Sequence, residues 1–292
     1  MKPYIFRLLE HYRLCLKADV KLSAENSWSV FDRIRNILCN EWGSLENKRI
    51  LDFGCGRMYP FSFLFRHYGC RVVGIDHGLL TLRFSPKFVM HTITNDGLIT
   101  GIKETAWQFS GNSKKFHNKL QELSGANMDP KGIQLFRMDG QRLAFQDEVF
   151  DGLVSVAVLE HVSNIQAVAT ETRRLLRHGG IAIHVVHLFP SLSGSHEPYW
   201  TWPHLMTSIK NPKVEPWDHL RQQRWLLDNS LNRLRMQDYI DVFRSVFSKI
   251  EFQSGIDVGS EIFLTPQIRA ELNNYTDSDL LTRELYIICY KE

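Results

Sequence analysis

At 292 residues and 34.1 kDa the chain can bury one sizeable core with elaborations, and 43% hydrophobic with 23% charged residues is ordinary for a globular protein. A formal net charge of +3 gives no electrostatic reason to expect a nucleic-acid or membrane partner, and no uninterrupted apolar run approaches the roughly 18 residues that cross a bilayer. Charges at Arg7, Glu10 and Arg13 break up anything like a signal-peptide core. Cys15, Cys39, Cys55, Cys70 and Cys289 are scattered without a C-x-x-C pair, so the expectation is a cytoplasmic protein with reduced thiols and no disulfide framework or zinc site.

The chain opens with a helical extension, residues 1–48. Trp28, Phe31, Ile34, Leu38 and Trp42 recur at helical spacing, Asn26 or Ser27 is a candidate cap, and the helix is expected to pack over the edge of a sheet. From Arg49 short apolar runs alternate with helical stretches, the pattern of βαβ units and a parallel sheet. Strands are expected at Arg49–Phe53, Arg71–Ile75, Ile133–Arg137, Gly152–Val156 and Ile181–Val186. A helix over Ile165–Leu176 is stopped by Gly179-Gly180. Lys249–Gln253 and Glu284–Tyr290 read as an antiparallel pair closing the sheet. A single domain, residues 49–292, is therefore expected, with insertions at about 77–132 and 188–235. The first insertion carries helical material around Lys114–Leu123. The second carries Trp200, Trp202, Trp217 and Trp225, which read as a packed satellite core in preference to sugar-stacking faces.

Ile50-Leu51-Asp52-Phe53-Gly54-Cys55-Gly56 is an apolar strand running through an acidic residue into a Gly-x-Gly turn. Glycine permits a sharp turn and lets a ligand approach without a Cβ in the way. The helix that follows, from Pro60 to about Tyr68, offers free N–H groups to an anionic group. The next strand ends at Asp76, about twenty residues beyond the turn, where a carboxylate can accept both hydroxyls of a ribose. Dinucleotide binders place Gly or Ala at the sixth position of this turn, and Tyr59 stands there instead, which counts against a nicotinamide enzyme.

Asp52-Phe53-Gly54-Cys55-Gly56 resembles the first motif of the class I S-adenosylmethionine-dependent methyltransferases, and Val73-Gly74-Ile75-Asp76 resembles their second. Phe136-Arg137-Met138-Asp139-Gly140, the run from Phe150 to Val162, and Arg173-Arg174-Leu175-Leu176-Arg177-His178-Gly179-Gly180 continue the resemblance in the family's order, across roughly residues 45–187, on the small-molecule, type-11-like branch. The resemblance implies a doubly wound, mostly parallel seven-stranded α/β sheet, a Rossmann-like methyltransferase fold, with helical insertions. It also implies S-adenosyl-L-methionine as cofactor. Asp52, Gly54, Cys55 and Gly56 would line its methionine part, Asp76 its ribose, Asp139 with Gly140 its adenine, and Ser155 and Val156 the neighbourhood of its methyl group. Met58 departs from the family, which often has a third glycine there.

Methyl transfer from a sulfonium needs an acceptor held in line about 3–3.5 Å away and water excluded. A hydroxyl acceptor gains from a base, and histidine titrates in the useful range. His161 after strand four, His187 at the end of strand five and His196 in Ser193-Gly194-Ser195-His196-Glu197 are the candidates. No metal is expected, because the histidines and acids fall into no compact ligand spacing along the chain. The expected activity is O-methylation of a sugar or secondary metabolite, with a small-molecule acceptor, no nucleic-acid or membrane partner, and a homodimer allowed. RNA or protein as acceptor, or a non-catalytic partner subunit that binds the cofactor, are the rival readings.

Overall fold

Short runs of β-branched and aliphatic residues form the central strands, which are buried on both faces as a parallel sheet between helices requires, while the two edge strands are partly exposed. The structure, a computed structural model, describes residues 20–78, 86, 89–90, 93–94, 111–127, 129, 131–201, 214–221 and 231–292. Its strands are β1 (Arg49–Phe53), β2 (Arg71–Asp76), β3 (Gln134–Arg137), β4 (Phe150–Val156), β5 (Leu176–His187), β6 (Lys249–Ile256) and β7 (Thr282–Tyr290). They form one seven-stranded sheet in the order β3-β2-β1-β4-β5-β7-β6. β1 lies parallel to β2 and β4, and β2 parallel to β3, with Phe53 opposite Ile75 and Asp76 opposite Arg137. β7 is antiparallel to β5. Leu188 N–H bonds to Arg283 O, while Gly179 N–H bonds to Lys291 O, so the partner number rises as the other falls. The expected α/β doubly wound sheet is present, and the antiparallel strand is β7.

The helices that bear on function are α1 (Val20–Trp42), α2 (Pro60–His67), α3 (Asn112–Ser124), α4 (Ile165–Leu175) and α5 (Met236–Val246). The chain divides into two compact units. One comprises Asp19–Ser155, Thr170–Ile183 and Tyr290–Glu292, and the other includes Val156–Ala169 and His184–Cys289.

Three sequence expectations need correction. Asn26 and Ser27 lie inside α1 and do not cap it; the Ser27 hydroxyl donates back to Ser23 O, as serine does mid-helix. The buried stripe Ala24, Phe31, Ile34 and Leu38 packs against α2 and α3, not on a sheet edge, with Phe31 against Phe65 and Tyr68 at ring separations of 5.0 and 5.6 Å. Finally, α4 stops at Leu175, before the glycine pair, and β5 begins at once. Lys291 exchanges backbone bonds with Gly179 and Gly180, so β7 recruits this segment into the sheet.

Trp200 and Trp217 are buried in a cluster with Leu192, Val214, Ile268, Leu272 and Leu280, and Trp217 Nε1 donates to Pro190 O at 3.1 Å. They are the satellite core expected of them. Trp202 and Trp225 lie outside the described residues, as do residues 1–19 of the N-terminal extension. No helix among the described residues is long and apolar enough to cross a membrane.

Candidate active site

In the first unit the site is made by the tips of β1 and β2. Gly54 and Gly56 have φ of 74° and 63°, the left-handed region that glycine enters without cost. Gly54 N–H and Cys55 N–H both bond to Ile75 O, at 2.8 and 2.9 Å, which pins the turn to the end of β2. Asp76 then joins the two. Its carboxylate accepts from Gly56 N–H at 2.9 Å and from Gly78 N–H at 2.8 Å. Glycine turn and acid therefore share one locale, as their spacing predicts. A Cβ on Gly56 would meet nothing within 4 Å, so open space lies over the turn.

Asp52 is 2% exposed, and its carboxylate accepts from Ser62 Oγ at 2.5 Å in the first turn of α2. Burial pushes its carboxyl up to about 7, against the pull of the Ser62 bonds, with the charge of Asp76 adding to the rise. Asp52 thus fastens strand to helix, and any effect on a ligand runs through Ser62 and α2. The Cys55 side chain also turns inward, packing with Tyr59, Phe63 and Ile133, so only its backbone belongs to the turn. Tyr59, at the position where dinucleotide sites have glycine, adopts φ 43° as the residue before α2. His117 of α3 bonds Met58 O at 2.8 Å, so the first insertion ties down the loop where the family often has a third glycine.

Asp139 is exposed in the loop after β3, which Met138 N–H anchors to Asp76 O at 3.0 Å. Its Oδ1 accepts from Gln141 N–H. A Cβ on Gly140 would come 2.2 Å from the Phe53 ring, so a larger residue there requires that ring to move. Ser155 is buried in β4 and Val156 is half-buried at its end.

In the second unit the three histidines come together. The His187 and His196 rings stack with centroids 5.0 Å apart, and His161 lies 5.2 Å from His196. Two local structures achieve this. His161 and Glu160 sit on a one-turn 3-10 helix (Leu159–His161), which Asn232 clamps. Its side-chain amide donates to Leu159 O and Val162 O at 2.7 and 2.9 Å, and Tyr239 OH donates to its Oδ1. Successive tight turns after β5 then fold His196 back beside His187, through bonds from Ser191 N–H to Leu188 O, Gly194 N–H to Ser191 O and His196 N–H to Ser193 O. Gly194 is obligatory, since a Cβ would sit 2.2 Å from Phe189 O, and His196 itself takes φ 56°.

His187 Nε2 is 2.9 Å from Ser193 Oγ, which donates to Asp257 Oδ2 at 3.4 Å. A hydroxyl has one proton to give. With Ser193 donating to the Asp257 carboxylate, its oxygen accepts from His187 Nε2–H, and the Nδ1 lone pair of His187 is left to act. Burial pushes the Asp257 carboxyl up, opposed by Arg283 at 4.0 Å. Burial holds His187 well below the usual histidine range, with His196, Arg283 and His161 adding to it, so its neutral form dominates near pH 7. Sequence reading missed Ser193, Asp257, Asn232 and Tyr239 as parts of this cluster. Only Ser193 carried a signal, in the Ser-Gly-Ser-His stretch.

His219 illustrates the same burial without a catalytic task. Its ring donates to Phe189 O at 3.0 Å, and burial lowers its pKa to about 4. Because the unfolded histidine binds a proton near pH 6.5 and the folded one does not, stability is full above 6.5 and is lost as pH falls toward 4. Between pH 7 and 5 this one group should cost about 2 kcal/mol. Urea unfolding of wild type and His219→Gln at both pH values measures it: the variant should lose about 2 kcal/mol less. Equal losses would show that the proton is taken up elsewhere.

Residues 101–184, spanning β3, β4, α4 and most of β5, match the family model described as Methyltransferase domain. No curated protein matches the chain. Three solved structures illustrate the structural likeness. A Haemonchus contortus phosphoethanolamine N-methyltransferase 2, in complex with S-adenosyl-L-methionine, is 11% identical over 84% of this chain at a TM-score of 0.45. The chain spans about half of that enzyme, 49% of its length. A putative S-adenosylmethionine-dependent methyltransferase from Listeria monocytogenes is 12% identical over 93% of this chain and 99% of that one, at 0.47. One from Mesorhizobium loti is 14% identical over 94% and 98%, also at 0.47. The donor set itself suits S-adenosylmethionine, with an open two-glycine turn and an acid at the tip of the next strand. Over residues 101–184 the chain is therefore similar to the methyltransferase-domain family, and that segment supplies strands to the seven-stranded sheet.

Proposed function

We propose that the methyl acceptor is a hydroxyl on a small molecule, a sugar or secondary metabolite, and that the histidine cluster handles its proton. The observation that carries this reading is the convergence of His187 at the end of β5 with His161 and His196 in the segments that follow β4 and β5. The C-terminal ends of parallel strands are where open α/β sheets bind ligands. An amine acceptor loses its proton readily, whereas a hydroxyl benefits from a base in place; His187, neutral and oriented by Ser193, is built for that task. His196 and His161 stand next to it as relay and acceptor-binding groups.

S-adenosylmethionine supplies the activated methyl group. Gly54 and Gly56, with the Cys55 backbone, give its methionine end room, and Asp52 supports that turn through Ser62. Asp76 holds the ribose hydroxyls, Asp139 and Gly140 border the adenine, and Ser155 and Val156 stand near the methyl group. In this reading residues 49–292 are the methyltransferase domain, residues 1–48 extend it, and the protein works on a free small molecule in the cytoplasm, alone or as a homodimer.

His187→Ala and His196→Ala are expected to lower turnover by about 10²–10⁴-fold while leaving the cofactor Kd within about threefold. Labelled cofactor with a panel of hydroxylated acceptors reads the first quantity, and calorimetric titration reads the second. Full turnover in both variants would remove the histidines from the chemistry. Efficient labelling of bulk RNA would overturn the choice of acceptor.

A further inference from the structure

No ligand spacing along the chain marks a metal site, yet folding brings Glu160, His187 and His196 together with one ligand atom from each within 4.8 Å of the others. We infer that these three side chains form a binding site for a divalent transition ion of the zinc and cobalt class. Two imidazoles and one carboxylate make a donor set that suits zinc and neighbouring ions and leaves coordination positions open. Glu160 Oε1 lies 4.0 Å from His196 Nε2, so movements of roughly 1 Å bring the donors to metal bonds of about 2.0–2.2 Å.

The surroundings are those of a built site. Glu160 is 2% exposed, on a turn that Asn232 holds at both ends. A metal-bound histidine is oriented by a partner on its other ring nitrogen. His187 has that partner, because its Nε2 is held by Ser193, which Asp257 holds in turn. His196 is presented by a left-handed residue conformation behind the obligatory Gly194. A surface histidine pair formed by chance has no such support.

An ion in this cluster polarises a bound hydroxyl and lowers its pKa, a task otherwise left to the imidazoles. That use rests on the methyl-transfer reading above, whereas binding of the ion does not. The test is therefore run without cofactor or acceptor. Chelator-stripped full-length protein is titrated with Co²⁺ and its visible absorption followed, then Zn²⁺ is added in competition. One Co²⁺ per chain, displaced by Zn²⁺, is expected. His196→Ala should weaken binding at least ~100-fold, Ser193→Ala about 10-fold through the lost orientation, and His178→Ala, an exposed histidine elsewhere, not at all. Circular dichroism of each variant confirms folding, and Glu160→Gln provides a second ligand variant. Absence of a saturable one-to-one site, or Co²⁺ binding that survives both His196→Ala and Glu160→Gln unchanged, overturns the inference. Normal Co²⁺ binding by a wild-type protein that transfers no methyl group to any hydroxylated acceptor would instead count against the methyl-transfer reading alone.

Discussion

Replacing Asp76 with alanine is expected to weaken S-adenosylmethionine binding at least ~100-fold. The proposed contact is two ribose hydroxyls donating to one carboxylate, and hydrogen bonds to a charged acceptor are worth about 1.5–3 kcal/mol each. The carboxylate also accepts Gly56 N–H and Gly78 N–H, so the substitution loosens the turn as well as removing the contact. Asp76→Asn separates the two effects. The amide keeps one acceptor oxygen for the turn but has no charge, and an intermediate loss of about 10-fold is expected. Calorimetry on folded variants decides it: a Kd within threefold of wild type for Asp76→Ala would remove this acid from the cofactor site.

Asp52→Asn should act in the opposite direction on stability. A carboxyl held at about 7, against 3.8 in the unfolded chain, binds more protons when folded, so folding weakens as pH rises from 3.8 to 7 and the full penalty applies above that. Some three pKa units correspond to about 4 kcal/mol. The amide avoids the buried charge and still offers Ser62 an acceptor, so Asp52→Asn is expected to gain about 2–4 kcal/mol at pH 8, shrinking to under about 1 kcal/mol at pH 4. Urea midpoints at the two pH values measure this. A variant less stable than wild type at pH 8 would mean that the charge is stabilised by more than its bond to Ser62.

Much of the first unit was legible because its signals are local. β1 falls at Arg49–Phe53 as the apolar run predicts, the two glycines take the positive φ that their turn demands, and Asp76 closes β2 at the expected distance. What spacing could not show was the direction of the side chains. Cys55 and Asp52 face the core, because strand alternation and the first turn of α2 turn them inward while leaving the backbone of the turn outside.

Helix and strand ends were less well read where distant chain intervened. The glycine pair at residues 179–180 looks like a helix stop, yet the segment enters β5 because Lys291 supplies hydrogen-bond partners that no local pattern reveals. Ser27 looked like a cap, but the hydrophobic stripe that α2 and α3 cover makes helix well before it.

By itself, then, the sequence determined the parallel sheet, its glycine turn and the acid at the next strand tip, because hydrophobic period and turn chemistry act over a few residues. Only the tertiary structure decided that Glu160, His187 and His196 share one place and that Ser193 and Asp257 orient the central ring. Those groups lie on the turn after β4, the end of β5, the loop behind it and the segment after β6, and their meeting depends on strand pairing and tight-turn geometry, which have no signature at any fixed spacing along the chain.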